Sequence, residues 1–164
     1  MEEIKKLRGL TGCGMVDCQQ ALKESGNDLD QAVEILRKKG MVKAAKRSDR
    51  DASQGLIKTA VSADHHTGYL LEINAETDFV VRSQPFQDFA NQVLALLQVQ
   101  APADLASLLS LAMSDQQTVQ ANLDNLSAVI GEKLAIKRCA VLKSSGTVAD
   151  YSHANGSIGV LVAL

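Results

Sequence analysis

The chain has 164 residues, a formal net charge of −2, 46% hydrophobic residues and 22% charged residues. This composition is typical of a soluble globular protein and excludes a disordered or strongly basic chain. No apolar run approaches the length of a membrane span, and the acidic start Met1–Glu3 is unlike a signal peptide. Three cysteines without CxxC spacing predict neither a disulfide framework nor a zinc site. We therefore expect reduced thiols and a cytoplasmic protein; an organellar matrix protein without its transit peptide fits equally well.

The charge is unevenly distributed. Residues 1–50 carry +3 and residues 51–164 carry −5, and the segment 37–50 holds seven basic side chains against one acidic side chain, Asp49. A solvated helix end followed by a linker explains this segment, and a contact surface for RNA or for an acidic protein is the alternative. The acidic remainder of the chain favours the first interpretation.

The N-terminal residues predict short helices joined by tight turns. Ile4, Leu7 and Leu10 recur every three residues and give one apolar stripe. Two glycines in Thr11–Gly14 predict a turn, and a second helix follows it and ends near residues 25–26.

A third helix is predicted from the cap residue Asp28 to Gly40. Periodicity alone favours Met15, at the start of the second helix, as a filler of a small core rather than an exposed contact. We predict a three-helix module over residues 1–40, a basic linker over 41–54, and an α+β core subdomain over 55–164.

The remainder of the chain predicts an antiparallel sheet with packed helices. Leu56–Val61 and Tyr69–Asn74 form a hairpin whose turn contains His65 and His66, and we expect that turn to be exposed rather than metal-binding. Further helices are predicted over 85–97, 102–113 and 119–130, and further strands over 134–142, 147–153 and 157–164. The strand-like run to the last residue is typical of a fragment or of a short form.

Aromatic side chains are rare, with three Phe, two Tyr and no Trp. Phe86 and Phe89 belong to one helical apolar face and are predicted to be core residues. Phe79 follows the end of a strand, in the segment Glu76–Arg82, and does not belong to that face. The pattern therefore leaves Phe79, beside Asp78, as either a core ring or an exposed contact.

No catalytic constellation is evident. Glu72, Asn74 and Glu76 share one strand face that we expect to be solvated, and Cys139 is predicted to be an inert core thiol. His153 at a hairpin corner is more often a structural residue than an acid or base. We therefore predict neither an enzyme nor a cofactor or metal site.

Three groups of residues, in order along the chain, closely resemble bacterial and organellar translation elongation factor Ts. They are Ile4–Arg8 with Thr11–Cys18; Glu76–Val80 with Phe86 and Gln87; and Ile130–Glu132 with Tyr151–His153 and Ile158–Val160. A single TDFV motif would be weak, but three ordered signatures that together cover essentially the whole chain are specific.

The resemblance implies a guanine-nucleotide exchange factor for the GTPase elongation factor Tu. The resemblance also implies that the three-helix module over residues 1–40 is UBA-like and that the core over 55–164 is a subdomain of the dimerisation type. In this family the N-terminal module docks on the GTPase domain, and an Asp-Phe pair enters that domain beside the nucleotide site. By resemblance, the partner-binding residues here are Asp78, Phe79, Leu7, Arg8, Met15, Val16, Ile130 and His153. The resemblance implies no cofactor, no membrane and no specific nucleic acid.

Two departures from the family pattern stand out. Gln19 replaces a Lys that is frequent after the Asp-Cys of the first signature. A second core subdomain and a helical hairpin, typical of bacterial members, have no counterpart in these residues. Some members are short and work as dimers, so a homodimer is consistent with the resemblance. The alternatives are a protein-binding module built on the three helices, an RNA-binding protein using residues 37–50, and a small enzyme using His153.

Overall fold

The structure is a computed structural model that describes residues 1–45 and 49–164. The described helices are α1 Glu2–Thr11, α2 Met15–Glu24, α3 Leu29–Ala45, α4 Asp78–Val81, α5 Gln84–Gln100, α6 Leu105–Ser110 and α7 Val119–Ile130. The strands are β1 Gln54–Val61, β2 Thr67–Ala75, β3 Leu134–Lys143, β4 Val148–His153 and β5 Ile158–Ala163. This order of helices followed by antiparallel strands confirms the predicted α+β class.

The chain divides into two compact units, residues 1–50 with 124–133 and residues 51–123 with 134–164. In the first unit, α1, α2 and α3 enclose a small core. Its buried members are Leu7, Cys18, Ala21, Leu22, Ala32 and Leu36. An ion pair adds to the contact between α2 and α3, because Lys39 Nζ lies 2.8 Å from Glu24 Oε1, and this partner lowers the pKa of Glu24.

Helix α3 does not end at Gly40, as the sequence had predicted, but continues to Ala45. A glycine inside a helix costs about 1 kcal/mol and does not by itself stop the helix. Packing favours glycine here, because a Cβ on Gly40 would lie 3.1 Å from Ala128 Cβ. The basic segment 37–50 contains residues 46–48, which lie outside the described residues.

The second unit is built on a three-stranded antiparallel sheet in the order β1-β2-β3. The predicted hairpin is confirmed, with Leu56 opposite Ile73 and Val61 opposite Gly68. His65 and His66 are exposed at its turn, as expected. Strand β2 is central, because strands pair with it on both edges, and its side chains Leu71 and Ile73, which project from one face of the sheet, are fully buried.

Helix α5 covers this sheet and supplies most of its core. It packs against β1 and β2, and its buried side chains are Phe86, Phe89, Ala90, Val93 and Leu97. Both phenylalanines are therefore core residues, as the helical spacing predicted.

Two local expectations in this unit were wrong. The helix predicted over 102–113 is only α6, because Leu111 is extended and Met113 N donates to Gln117 O at 2.8 Å, which closes a tight loop. Asn74 is buried rather than solvated, because its Nδ2 donates to Ala52 O at 3.1 Å and fastens the segment that precedes β1.

The hairpin formed by β4 and β5 packs closely on the sheet. Its strands pair as a separate two-stranded ladder, with Ser152 opposite Gly159, and they lie against β1. A Cβ on Gly159 would approach Ile57 Cγ2 to 2.4 Å, so the contact requires the absence of a side chain. No helix in the described part of the chain is long and apolar enough to cross a membrane.

We predict that Gly159→Ala lowers the free energy of unfolding by about 1–3 kcal/mol, the usual cost of overpacking a tight contact. The measurement is urea unfolding followed by circular dichroism. Gly9→Ala is the matched control, because nothing lies within 4 Å of a Cβ at that position of α1. It should raise stability by about 0.5–1 kcal/mol. Equal effects of the two substitutions would contradict the close contact.

Candidate functional site

Phe79 lies on a short corner between β2 and α5. The corner is the single turn of α4, which Thr77 caps by accepting from Val80 N at 3.4 Å. Val81 is buried beneath it, and Gln87 Nε2 donates to Val81 O at 2.7 Å. These contacts fix the backbone of the turn, and yet the Phe79 side chain is 82% exposed.

Asp78 and Arg82 form an ion pair across this turn. Arg82 Nη2 lies 2.9 Å from Asp78 Oδ2, and both side chains are well exposed. Exposed pairs of this spacing contribute only about 0.3–0.5 kcal/mol. The carboxylate of Asp78 is therefore held in place, but it can exchange this cation for donors on another molecule at little cost.

A groove in the second unit brings Asp78 and His153 to one surface. It is lined by the first half of β1, by α4 and by the end of β4 with the turn that follows. The lining residues are Gln54–Lys58, Asp78, Val81, Arg82, Gln87 and Ser152–Ser157. Two residues that are 75 positions apart in sequence thus border the same polar groove.

His153 is exposed at the end of β4 and is paired with a neighbour. Its Nδ1 lies 2.8 Å from the hydroxyl of Tyr151, and the two rings are tilted by 35° with centroids 6.0 Å apart. Tyr151 itself is 58% exposed. One ring nitrogen of His153 therefore takes part in a hydrogen bond, and the remaining edge of the ring is exposed to solvent.

The other sequence-predicted contacts lie in the first unit. Met15 and Val16, at the start of α2, are 50% and 74% exposed, so the interpretation of Met15 as a core filler was wrong. The reason is that Cys18, Ala21 and Leu22 turn the opposite face of α2 inward.

Arg8 is also exposed, and Ile130 at the end of α7 is partly exposed. Leu7 differs from these residues, because it is fully buried in the helical core. A buried side chain cannot contact another molecule without unfolding its unit, so we assign Leu7 a supporting role.

The thiols are poorly suited to nucleophilic chemistry. Burial raises the pKa of Cys18 and of Cys139, which disfavours the reactive thiolate form. Within the described residues, no cluster of His, Cys, Asp and Glu could hold a metal ion.

The fold and site define an α+β protein that offers an exposed aromatic corner and an adjoining polar groove. A sequence model of the family Elongation factor TS matches residues 76–164. Elongation factor Ts of Trichlorobacter lovleyi is 44% identical over 163 residues, which cover 98% of this chain and 52% of that protein. The protein of the same name from Arthrospira platensis is 41% identical and covers 98% of this chain and 65% of that protein. That of Clostridioides difficile strain 630 is 40% identical over 159 residues.

The chain therefore belongs to the elongation factor Ts family. It spans between about half and two thirds of the length of these relatives, namely 52% to 65%. The family model covers the exposed corner, α5 and the β4–β5 hairpin. The relatives also align with the three-helix unit, because they cover almost all of this chain.

Sequence reasoning missed two residues of this site. Arg82 lies four positions after Asp78 on a turn of helix, a spacing that predicts a pair once the turn is recognised. Tyr151 is two positions before His153 in a strand, which places both side chains on one face. Both spacings are visible in the sequence, but neither of them alone identifies Arg82 or Tyr151 as part of a binding site.

We predict that Phe79→Ala and Phe86→Ala have opposite consequences for stability. Phe79 is 82% exposed and Phe86 is 0% exposed. Loss of the exposed ring should change the free energy of unfolding by less than about 0.5 kcal/mol, whereas loss of the buried ring should cost about 3–5 kcal/mol. Denaturant unfolding of both variants tests this. A large loss for Phe79→Ala would show that its ring belongs to the core.

Proposed function

We propose that this chain promotes GDP release from elongation factor Tu by placing Asp78 and Phe79 beside the nucleotide and Mg²⁺ site of that GTPase. The observation that carries the proposal is Phe79, which is 82% exposed on a turn fixed by its cap, its buried Val81 and the hydrogen bond from Gln87. An exposed ring on a rigid support loses little conformational entropy on binding, which is the property of interface hot spots. Membership of the elongation factor Ts family supports the choice of partner.

Exchange follows from linkage between two binding events. A protein that binds the nucleotide-free GTPase more tightly than the nucleotide-bound form must weaken nucleotide binding by the same factor. A phenyl ring that occupies space used by the Mg²⁺- and phosphate-binding elements provides this difference. The chain itself makes or breaks no covalent bond, and so it acts as an exchange factor and not as an enzyme.

The three-helix unit is proposed to dock on the same GTPase. Met15 and Val16 are large apolar side chains exposed side by side at the start of α2, and adjacent exposed apolar groups favour a protein partner. Arg8 on α1 and Ile130 on α7 are further candidates for this contact. The action would take place wherever elongation factor Tu is found, in the cytoplasm or in an organellar matrix.

The direct test is release of labelled GDP from purified elongation factor Tu with increasing amounts of this chain. We expect the rate of release to rise with the concentration of the chain and to saturate. No acceleration at micromolar protein would overturn the proposed function of this chain.

Phe79→Ala is predicted to weaken binding to the GTPase by about 2 kcal/mol or more, which is roughly 30-fold, as for other aromatic hot spots. GDP release should slow correspondingly, while unfolding is unchanged. Stopped-flow release and calorimetric titration with nucleotide-free GTPase measure the two effects.

Val99→Ala is the matched control for this loss. Val99 is also a large exposed side chain, 77% exposed, and it lies near the end of α5 and does not line the groove. It should leave GDP release unchanged. A similar loss in both variants would contradict a specific role for Phe79.

Val16→Asp is predicted to raise the concentration needed for half-maximal exchange by about tenfold, because a charge would be buried at an apolar contact. The maximal rate should change little, since the Asp78–Phe79 corner is intact. Titration of the release rate separates the two parameters, and Val99→Asp adds the same charge as a control. If the maximal rate fell and the half-maximal concentration stayed constant, the docking role would be wrong.

A further inference from the structure

The outer face of the β4–β5 hairpin carries the hydrogen-bonded pair of Tyr151 and His153, and the proposed function gives Tyr151 no role. Tyr151 and His153 are two positions apart in β4 and project from the same face. Their cross-strand neighbours on this face are Val160 and Ile158, and both of these side chains are exposed. The pair is therefore at the surface, at the end of the strand that borders the groove.

The opposite face of the same hairpin is firmly attached to the sheet. Thr59 Oγ1 donates to Asp150 Oδ2 at 2.5 Å, and Gly159 lies directly over Ile57 and Thr59. Val148 is fully buried at the other end of β4. The backbone that carries Tyr151 and His153 is therefore held independently of the bond between their side chains.

That bond has little to contribute to the stability of the fold. Tyr151 is 58% exposed and His153 is exposed as well, so water competes for both polar groups and the net gain from pairing them is small. Its consequence is instead local, because a bond to Nδ1 restrains rotation of the imidazole and selects one position for its proton.

The direction of this bond decides which nitrogen carries that proton. A phenol hydroxyl can donate or accept, and a neutral imidazole accepts through the nitrogen that has no hydrogen. If Tyr151 donates to Nδ1, which lies 2.8 Å from its hydroxyl, the hydrogen of His153 is on Nε2, and Nε2–H is left as a donor.

His66 provides a contrast within the same chain. Its Nδ1 lies 2.6 Å from the carbonyl oxygen of Gly146, and a carbonyl can only accept, so the hydrogen of His66 is on Nδ1. The hydroxyl beside His153 is a different kind of partner, because it can donate to Nδ1 and thereby select the opposite tautomer.

We infer that Tyr151 donates to Nδ1 of His153 and is thereby a positioning residue, which holds His153 so that its Nε2–H is presented to an oxygen acceptor on the GTPase. This inference rests on the proposed function, because it takes His153 to be a contact of elongation factor Tu. Tyr151 acts through His153, and its hydroxyl is the group that matters.

The first experiment observes the ring nitrogens directly by long-range ¹⁵N–¹H NMR of the whole chain at a pH where the imidazoles are neutral. With only three histidines, each ring can be assigned by substitution. We expect His153 in the Nε2–H form and His66 in the Nδ1–H form. Tyr151→Phe should give a mixture of tautomers at His153 and leave His66 unchanged; an unchanged His153 would overturn the inference.

The second experiment is a double-mutant cycle in the GDP-release assay, with Tyr151→Phe, His153→Ala and the combined variant. Tyr151→Phe should slow exchange about three- to tenfold, the range expected for loss of one hydrogen bond to the partner. It should have no further effect in the His153→Ala background. An equal loss in both backgrounds would show that Tyr151 acts independently of His153. A change of tautomer without slower exchange would show that the orientation of His153 does not matter to the partner. Either result overturns the inference.

Val162→Ala is the matched control on the same face, because it shortens another exposed side chain of the hairpin and leaves the pair intact. It should change neither the tautomer nor the release rate, and an equal loss of rate would assign the effect to the apolar face as a whole.

The two experiments also distinguish failure of this inference from failure of the proposed function. If the unmodified chain does not accelerate GDP release, the proposed function is wrong, whereas the NMR measurement still decides whether Tyr151 sets the tautomer of His153.

Discussion

The second unit depends on one close contact, the packing of the β4–β5 hairpin on β1 and β2. Three glycines make it possible, because Cβ atoms on Gly68, Gly156 and Gly159 would each come within 2.7 Å of a side chain across the contact. Only the missing side chains let the hairpin approach the sheet to this distance. As a result, the end of β4 reaches the start of β1, and His153 shares a groove with Asp78.

The exposed corner that faces this groove illustrates how a small fold can support an exposed apolar ring. Helix α4 has only four residues and would not form by itself in water, because helix nucleation is unfavourable. Its stability comes from Val81, which is buried beneath it, and from bonds made by Thr77 and Gln87 at its two ends. Since these contacts come from below and from the ends, the outer side is free to carry Phe79.

The sequence predicted much of this arrangement where the signal was local and periodic. The helical spacing of Phe86 and Phe89 predicted the core face of α5, and alternation predicted the first hairpin. Two kinds of error came from information that a local pattern does not contain. The pattern predicts a helix end at Gly40, whereas close packing against Ala128 favours glycine there. It also predicts a solvated Asn74, whereas a bond to Ala52 O accounts for the burial of this side chain. The placement of Asp78 and His153 at one groove also depends on tertiary structure, which a local pattern does not predict.

The ion pair of Asp78 with Arg82 fits the proposed exchange for an energetic reason. A buried pair would hold the carboxylate so firmly that transfer to donors of a partner would cost several kcal/mol, on the order of 3–5. An exposed pair on one helical turn contributes only about 0.3–0.5 kcal/mol, which is less than one charge-assisted hydrogen bond. The carboxylate can therefore be kept on the surface in the free protein, 2.9 Å from its cation, and still change partners in the proposed complex with the GTPase. The same weak restraint holds Asp78 next to Phe79, so that both groups are presented from one turn of helix.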